Sequence, residues 1–398
     1  MGEGPREEAL TRPRRRGAAR RKGAFAALPA AAALIAASLL APSRSAAAVI
    51  SHPLPTDFSN PVSIVAGGDG RLWFTCQNVH KVVAFDRATG EFTEYAVPDG
   101  GSPAGIAVGA DGTVWFALGD ERVNALGELD PATGAVKLHT VPRRAAEPYD
   151  VAVAPDGAVW FTGRNANIVG RYRDGAFTVY DVPTPNSQPT GIAVAPDGTV
   201  WFVETTAARL ASVDPADGKI TEHPLGDRLA NPIDVAVAPD GGVWIVESLG
   251  NRLEMFDPRT GIFFEAVVPT PGAVPVSLDI SADGIVWFVE NRGNKVVSFD
   301  PGSARFEGHE IPTPRALPTA VTVDADGNPW FLLSDRDANS LATLGASARV
   351  AAEEGRGEAA AAVEEPQARR SSPSPWALIA AVALLAAAAW YIITRQRG

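Results

Sequence analysis

Cysteine is almost absent from this 398-residue chain: Cys76 stands alone. No intrachain disulfide is therefore available, and a buried or ring-top thiol is the expected reading of Cys76. Histidine is scarce too, with five copies, and none sits beside a repeated serine. There is no G-x-S-x-G and no H-E-x-x-H, which removes the common signatures of serine hydrolases and zinc peptidases. Positive charge is in short supply: 35 Lys and Arg stand against 46 Asp and Glu, a formal charge of −11. Residues 1–48 hold nine Lys/Arg and three Asp/Glu, so the remainder carries 26 against 43, or −17. Such an acidic body argues against nucleic acid and anionic lipid as ligands and suits cations or cationic ligands. Long apolar runs occur only near the two ends.

Tryptophan recurs at regular spacing. Trp73, Trp115, Trp160, Trp201, Trp244, Trp287 and Trp330 are separated by 42, 45, 41, 43, 43 and 43 residues. They sit in one phrase, DGRLWFT, DGTVWFA, DGAVWFT, DGTVWFV, DGGVWIV, DGIVWFV and DGNPWFL. A period in the forties with one aromatic signature per unit predicts an all-β, seven-bladed propeller. The unit from Pro189 predicts four strands: 191–195, 199–204, 208–214 and 219–225. Its turns carry Asp-Gly or Gly, the inner runs are apolar, and the outer run alternates. Each tryptophan is expected to fill the space between neighbouring blades. The Asp-Gly pairs lack the oxygen-ligand string of a calcium loop and read as hairpin turns.

The seventh unit runs out after three strands. Residues 49–55 (VISHPLP) match 219–225 (KITEHPL), so the N-terminal strand is expected to complete the last blade and close the ring. Ahead of it lie eight Lys/Arg between Arg6 and Lys22, an apolar stretch 23–41 and the small residues Ser45-Ala46-Ala47-Ala48. Residues 1–48 therefore read as a signal peptide, with an uncleaved signal anchor as the alternative and Arg20-Arg21 compatible with a twin-arginine signal. The propeller spans 49–345, an Ala/Glu/Pro stalk 346–375, a transmembrane helix 376–394, and a cytoplasmic tail with Arg395 and Arg397 occupies 395–398. This topology predicts a single-pass protein of the cell membrane with its ring, a monomer, outside.

The phrases QPTGIAVAPDGTVWFVE (188–204) and ENRGNKVV (290–297) resemble the streptogramin B lyase family, also called virginiamycin B lyases, with looser kinship to lactonase-like and NHL-type propellers. The resemblance implies seven blades and a magnesium-assisted opening of a cyclic depsipeptide by elimination. It also implies a histidine after the blade proline in two late blades, a glutamate before one of those prolines, and a glutamate after the last tryptophan. Here the positions after the prolines are Val62, Ala104, Tyr149, Thr190, Ile233, Val276 and Thr319. Ser334 follows the last tryptophan strand, and Glu147-Pro148-Tyr149 alone keeps a glutamate before the proline. No catalytic residue is assigned on this pattern.

Equivalent positions across blades supply the remaining candidates. Position three after each tryptophan reads Cys76, Leu118, Gly163, Glu204, Glu247, Glu290 and Leu333. Glu204, Glu247 and Glu290 with Asp234 form a carboxylate set suited to Mg²⁺ or Ca²⁺. The alternative pairs those glutamates with Arg209, Arg252 and Lys295. Ligand contacts are expected from Glu147, Tyr149, Asp150, Arg164, Asp279 and Arg292. Two functions stay open: a module binding a small molecule, glycan or surface protein, or an enzyme, as a diverged C–O lyase or a metal-dependent lactonase-like hydrolase.

Overall fold

An Asp-Gly pair reverses a chain cheaply, because glycine enters the left-handed region and the aspartate holds the turn. All seven pairs do this: Gly70, Gly112, Gly157, Gly198, Gly241, Gly284 and Gly327 lie at φ between 80° and 90°. In five of the turns the Oδ1 of Asp69, Asp111, Asp156, Asp197 and Asp240 accepts the N–H two residues on. The structure, a computed structural model, describes residues 48–120 and 122–345. The expected signal peptide (apart from Ala48), stalk, transmembrane helix and tail lie outside the described residues. Among the described residues no helix is long and apolar enough to cross a membrane.

Seven four-stranded antiparallel sheets form the ring. Six are continuous, at 61–96, 103–140, 148–181, 189–224, 232–267 and 275–310. In the seventh, the strands Pro318–Val323, Pro329–Leu333 and Ser340–Leu344 are completed by Val49–Pro53 from the chain's beginning. The register pairs Val49 with Leu344 and Pro53 with Ser340, and the Gly345 N–H reaches the Ala48 carbonyl at 2.8 Å. A second pin joins blades seven and one: Asp324 takes Arg87 at 2.5 Å and the Trp330 indole N–H at 2.9 Å.

Neighbouring residues on a strand face opposite sides, and the Trp-Phe dipeptide uses this to glue blade to blade. Trp73 packs with Phe116 of the next blade, Trp160 with Phe202, Trp244 with Phe288, and Trp287 with Phe331. Trp330 returns to Phe74 of blade one. Each such buried side chain is worth about 2–3 kcal/mol. Four histidines prove to belong to the same packing. His52, His139, His223 and His309 lie against Trp330, Trp115, Trp201 and Trp287 at centroid distances of 5.6–6.2 Å. Tyr95 and Tyr180 fill the corresponding places beside Trp73 and Trp160. Desolvation lowers the pKa of His52, His223 and His309, which favours their neutral form.

Candidate functional site

Every inner strand begins with a buried proline, where a missing N–H breaks no ladder bond: Pro61, Pro103, Pro148, Pro189, Pro232, Pro275 and Pro318. These prolines gather at one end of the ring, and the Asp-Gly turns lie at the other. The inner strands surround a channel of about 960 Å³. Its carboxylates are Asp120, Glu147, Asp150, Asp234 and Asp279, and Arg164 is its single basic lining residue. Gln77, Ser102 and Asn291 add neutral polar groups.

At the proline end, Arg164 and Glu147 form an ion pair although 17 residues separate them. The guanidinium also lies over the Tyr149 ring, 4.8 Å from its centroid. The start of the blade's inner strand and the turn after its second strand thus meet at the mouth. Glu147 is held at φ 54, a left-handed conformation that asparagine tolerates better than glutamate. The same conformation recurs before other blade prolines, at Asn60, Gln188, Asn231, Val274 and Leu317.

Deeper in, the aspartates join adjacent inner strands. Asp150 accepts the N–H of Val151 at 2.9 Å and of Ile192, in the next blade, at 3.1 Å. Asp234 does the same with Val235 and Leu278, and Asp279 with Ile280 and Val323. Room for two of them comes from glycine in the preceding blade. A methyl group on Gly105 would lie 2.0 Å from the Asp150 carboxylate, and one on Gly191 2.7 Å from the Asp234 Cα. Both Asp150 and Asp234 line the channel and are half-buried. Desolvation, then the Asp234 charge, pushes Asp150 up to about 7 against its two N–H donors. Desolvation pushes Asp234 up to about 6, with Asp279 adding to the rise.

These raised values carry a sign. Between the unfolded value near 4 and the folded values, the native state holds protons that the unfolded chain has lost. Their contribution to stability is full below about pH 4 and is lost as pH rises through 6–7. Melting temperature is therefore expected to fall from pH 5 to pH 8. Asp150→Asn should flatten that slope by an amount on the order of 1 kcal/mol, after discounting for channel water. Thermal melts of both proteins at the two pH values check this; identical slopes would mean that Asp150 is ionised throughout.

The expected cation set does not assemble. Glu204, Glu247 and Glu290 are buried at the ends of the tryptophan strands, directly across from Arg209, Arg252 and Lys295. They are absent from the channel wall that carries Asp234. Arg252 is bound by Glu247 at 2.5 Å, Asp227 at 2.8 Å and Glu265 at 3.2 Å. Among the described residues no three His, Cys, Asp or Glu side chains are grouped to hold a metal ion. These residues do not fit a shared metal. Of the alternative pairings only Glu247 with Arg252 forms an ion pair; Arg209 lies 3.7 Å from Glu222 and Lys295 3.1 Å from Glu310 instead. Burial raises Glu204 to about 7, and Cys76, buried beside Ser59, to about 12.

Alternation explains the miss. Position three after tryptophan ends the strand and points into the blade stack, whereas position four opens the loop and turns to the channel. That column contains Gln77, Arg164 and Asn291, all lining residues. Of the expected ligand contacts, Glu147, Tyr149, Asp150, Arg164 and Asp279 line the channel, while Arg292 is exposed outside it. Asp120, Gln77 and Asn291 also line the channel, and no sequence pattern marks them because the residues in their places differ from blade to blade. A further buried carboxylate, Glu254, also gave no signal. It occupies a column otherwise holding Val83, Gly127, Gly170, Ala211, Val297 and Ala342, in the one blade where Ile245 replaces the phenylalanine after tryptophan.

The sequence profile of the virginiamycin B lyase family matches residues 33–262. Several solved structures share the architecture over nearly their whole length. A streptogramin B lyase structure is 26% identical, with a TM-score of 0.71 over 77% of this chain and 99% of that one. The selenomethionine-substituted virginiamycin B lyase of Staphylococcus aureus is 25% identical, with a TM-score of 0.69 over 75% of this chain and 98% of that one. A catalytically inactive variant of the S. aureus lyase with quinupristin is 26% identical, also with a TM-score of 0.69 and the same coverage. No curated protein matches the chain.

Proposed function

This chain belongs to the virginiamycin B lyase family, and from that premise we propose that it binds an amine-bearing small molecule at the proline end of its channel rather than running the lyase reaction. One observation carries the reading: the channel sets five carboxylates against a single guanidinium, and that guanidinium is already paired with Glu147. Apolar walls from Val62, Ile106, Val151, Ile233 and Val276 add a place for a hydrocarbon body. An amphiphilic amine meets both demands, with its ammonium among the carboxylates. Elimination needs a base aimed at the substrate's proton and a group holding the developing enolate. The two late blades offer Val276 and Thr319 after their prolines, neither of which is a base.

We also propose that residues 376–394 tether the ring outside the cell membrane. In support, residues 48 and 345 leave the ring side by side at the Asp-Gly end, so the mouth faces away from both. The second reading, a diverged lyase, draws on Glu147, which stands before its blade proline as the family's glutamate does.

Calorimetric titration of the full chain with a phenylalkylamine tests the first reading. Binding should weaken about tenfold in Glu147→Gln and stay unchanged in Asp197→Asn at the opposite end. Equal affinity in both would reduce the interaction to general charge attraction and sink the proposal. Incubation with quinupristin and Mg²⁺, followed by chromatography, is expected to show no ring-opened product. Turnover that disappears in Glu147→Gln would establish the second reading instead.

A further inference from the structure

Blade five breaks a rule that its neighbours keep. The loops entering blades four, six and seven read Val182-Pro-Thr-Pro, Val268-Pro-Thr-Pro and Ile311-Pro-Thr-Pro, whereas the loop entering blade five reads Leu225-Gly226-Asp227-Arg228-Leu229. That departure places Leu229 in solvent at 76% exposure, and Leu249 from the next turn of the same blade at 69%. The two are held together by backbone, since the N–H of Leu249 donates to Ala230. The loop is pinned from beneath: Asp227 accepts the Leu229 N–H at 2.9 Å and takes Arg252, which Glu247 anchors in the interior. Two leucines are therefore held exposed on a braced loop.

Exposed arginines flank them on the same end of the ring. Arg228 precedes Leu229, Arg292 holds in blade six the place of Leu249, Asp335 holds it in blade seven, and Arg315 and Leu317 lie on the loop entering that blade. Arg292 N–H donates to Ala273 as Leu249 does to Ala230, so the blades present these positions alike. None of the three arginines has a carboxylate partner among the described residues. Near the Asp-Gly end Arg71, Arg87, Arg173 and Arg259 are paired with carboxylates, while Arg305 is exposed without an ion pair. The Asp-Gly end itself carries one turn aspartate in every blade.

We propose that this arc over blades five to seven, Arg228, Leu229, Leu249, Arg292, Arg315 and Leu317, docks an acidic protein segment that carries apolar side chains. Charge complementarity selects the partner's sign: carboxylates of the partner meet three guanidinium forks that no carboxylate of the ring pairs. The braced leucines supply apolar anchors that lose little entropy on binding. A lipid surface fits less well, because two or three leucines on turn tips offer little area for insertion and the arc contains no lysine. The inference does not depend on what the channel holds.

The test uses the full chain in detergent and a fluorescent twelve-residue peptide alternating Glu with Leu, read by anisotropy. Two control peptides carry Lys for Glu and Ser for Leu, and phosphatidylglycerol vesicles are run in parallel. The Glu/Leu peptide should bind at least about tenfold more tightly than either control. The Arg228→Glu, Arg292→Glu double variant should lose about tenfold, and Leu249→Ser about fivefold, with melting temperatures unchanged because the side chains are exposed. Absence of binding, equal binding of the Ser-for-Leu peptide, or full affinity in the double variant overturns the proposal. Vesicle binding without peptide binding overturns it in favour of lipid.

Discussion

A chain shortened to begin at Thr56 is expected to melt roughly 10–20 °C below the full protein, the largest effect of any change considered. The strand Val49–Pro53 contributes a five-residue pairing to Ser340–Leu344, with each backbone bond worth about 1 kcal/mol net. His52 also lies 4.8 Å from Phe85 and 5.8 Å from Trp330, and Leu54 is buried in the cluster around Trp330. Together these come to about 5 kcal/mol, and a ring of this size shifts by about 2–4 °C per kcal/mol. Loss of the strand also leaves Ser340–Leu344 as an open edge, so association should appear in size-exclusion chromatography. Calorimetric melting of the two proteins decides the matter. A difference under about 3 °C would mean that closure contributes little and that the blade interfaces alone hold the ring.

Gly105→Ala is expected to destabilise by about 3–5 kcal/mol, although it adds one carbon. The new Cβ would lie 2.0 Å from the Asp150 carboxylate and 2.5 Å from the Asp150 Cα. Rotating a side chain relieves the first contact but not the second, so the inner strands of blades two and three must separate. Asp150→Ala should therefore fail to rescue it. Gly68→Ala is the matched control, since nothing lies within 4 Å of the added carbon there. Urea denaturation of the three variants measures the difference. Equal stability of Gly105→Ala and Gly68→Ala would show that the inner strands do not approach this closely.

Both effects arise from features of unequal visibility in the sequence. Closure was legible because residues 49–55 repeat the pattern of an outer strand and the seventh unit lacks one. The Gly105–Asp150 contact was not, since it joins residues of two blades that share no local pattern. The histidines show a middle case. Their places on outer strands were readable, but their stacking on the tryptophan of the same blade, two strands inward, follows only from strand register.

Sequence by itself determined what is local and repeated. The tryptophan period set seven blades, the Asp-Gly turns set four antiparallel strands in each, and the Trp-Phe alternation set which side meets the next blade. These follow because turn geometry and side-chain alternation act over a few residues and recur seven times. Tertiary structure decided which unrepeated residues meet. It joined Arg164 to Glu147 at the mouth, turned Glu204, Glu247 and Glu290 away from the channel with Glu247 alone paired to its cross-strand arginine, and used Asp150, Asp234 and Asp279 to bridge blades. A shift of one position along a strand reverses the direction a side chain faces, and only the closed ring fixes which direction reaches the channel.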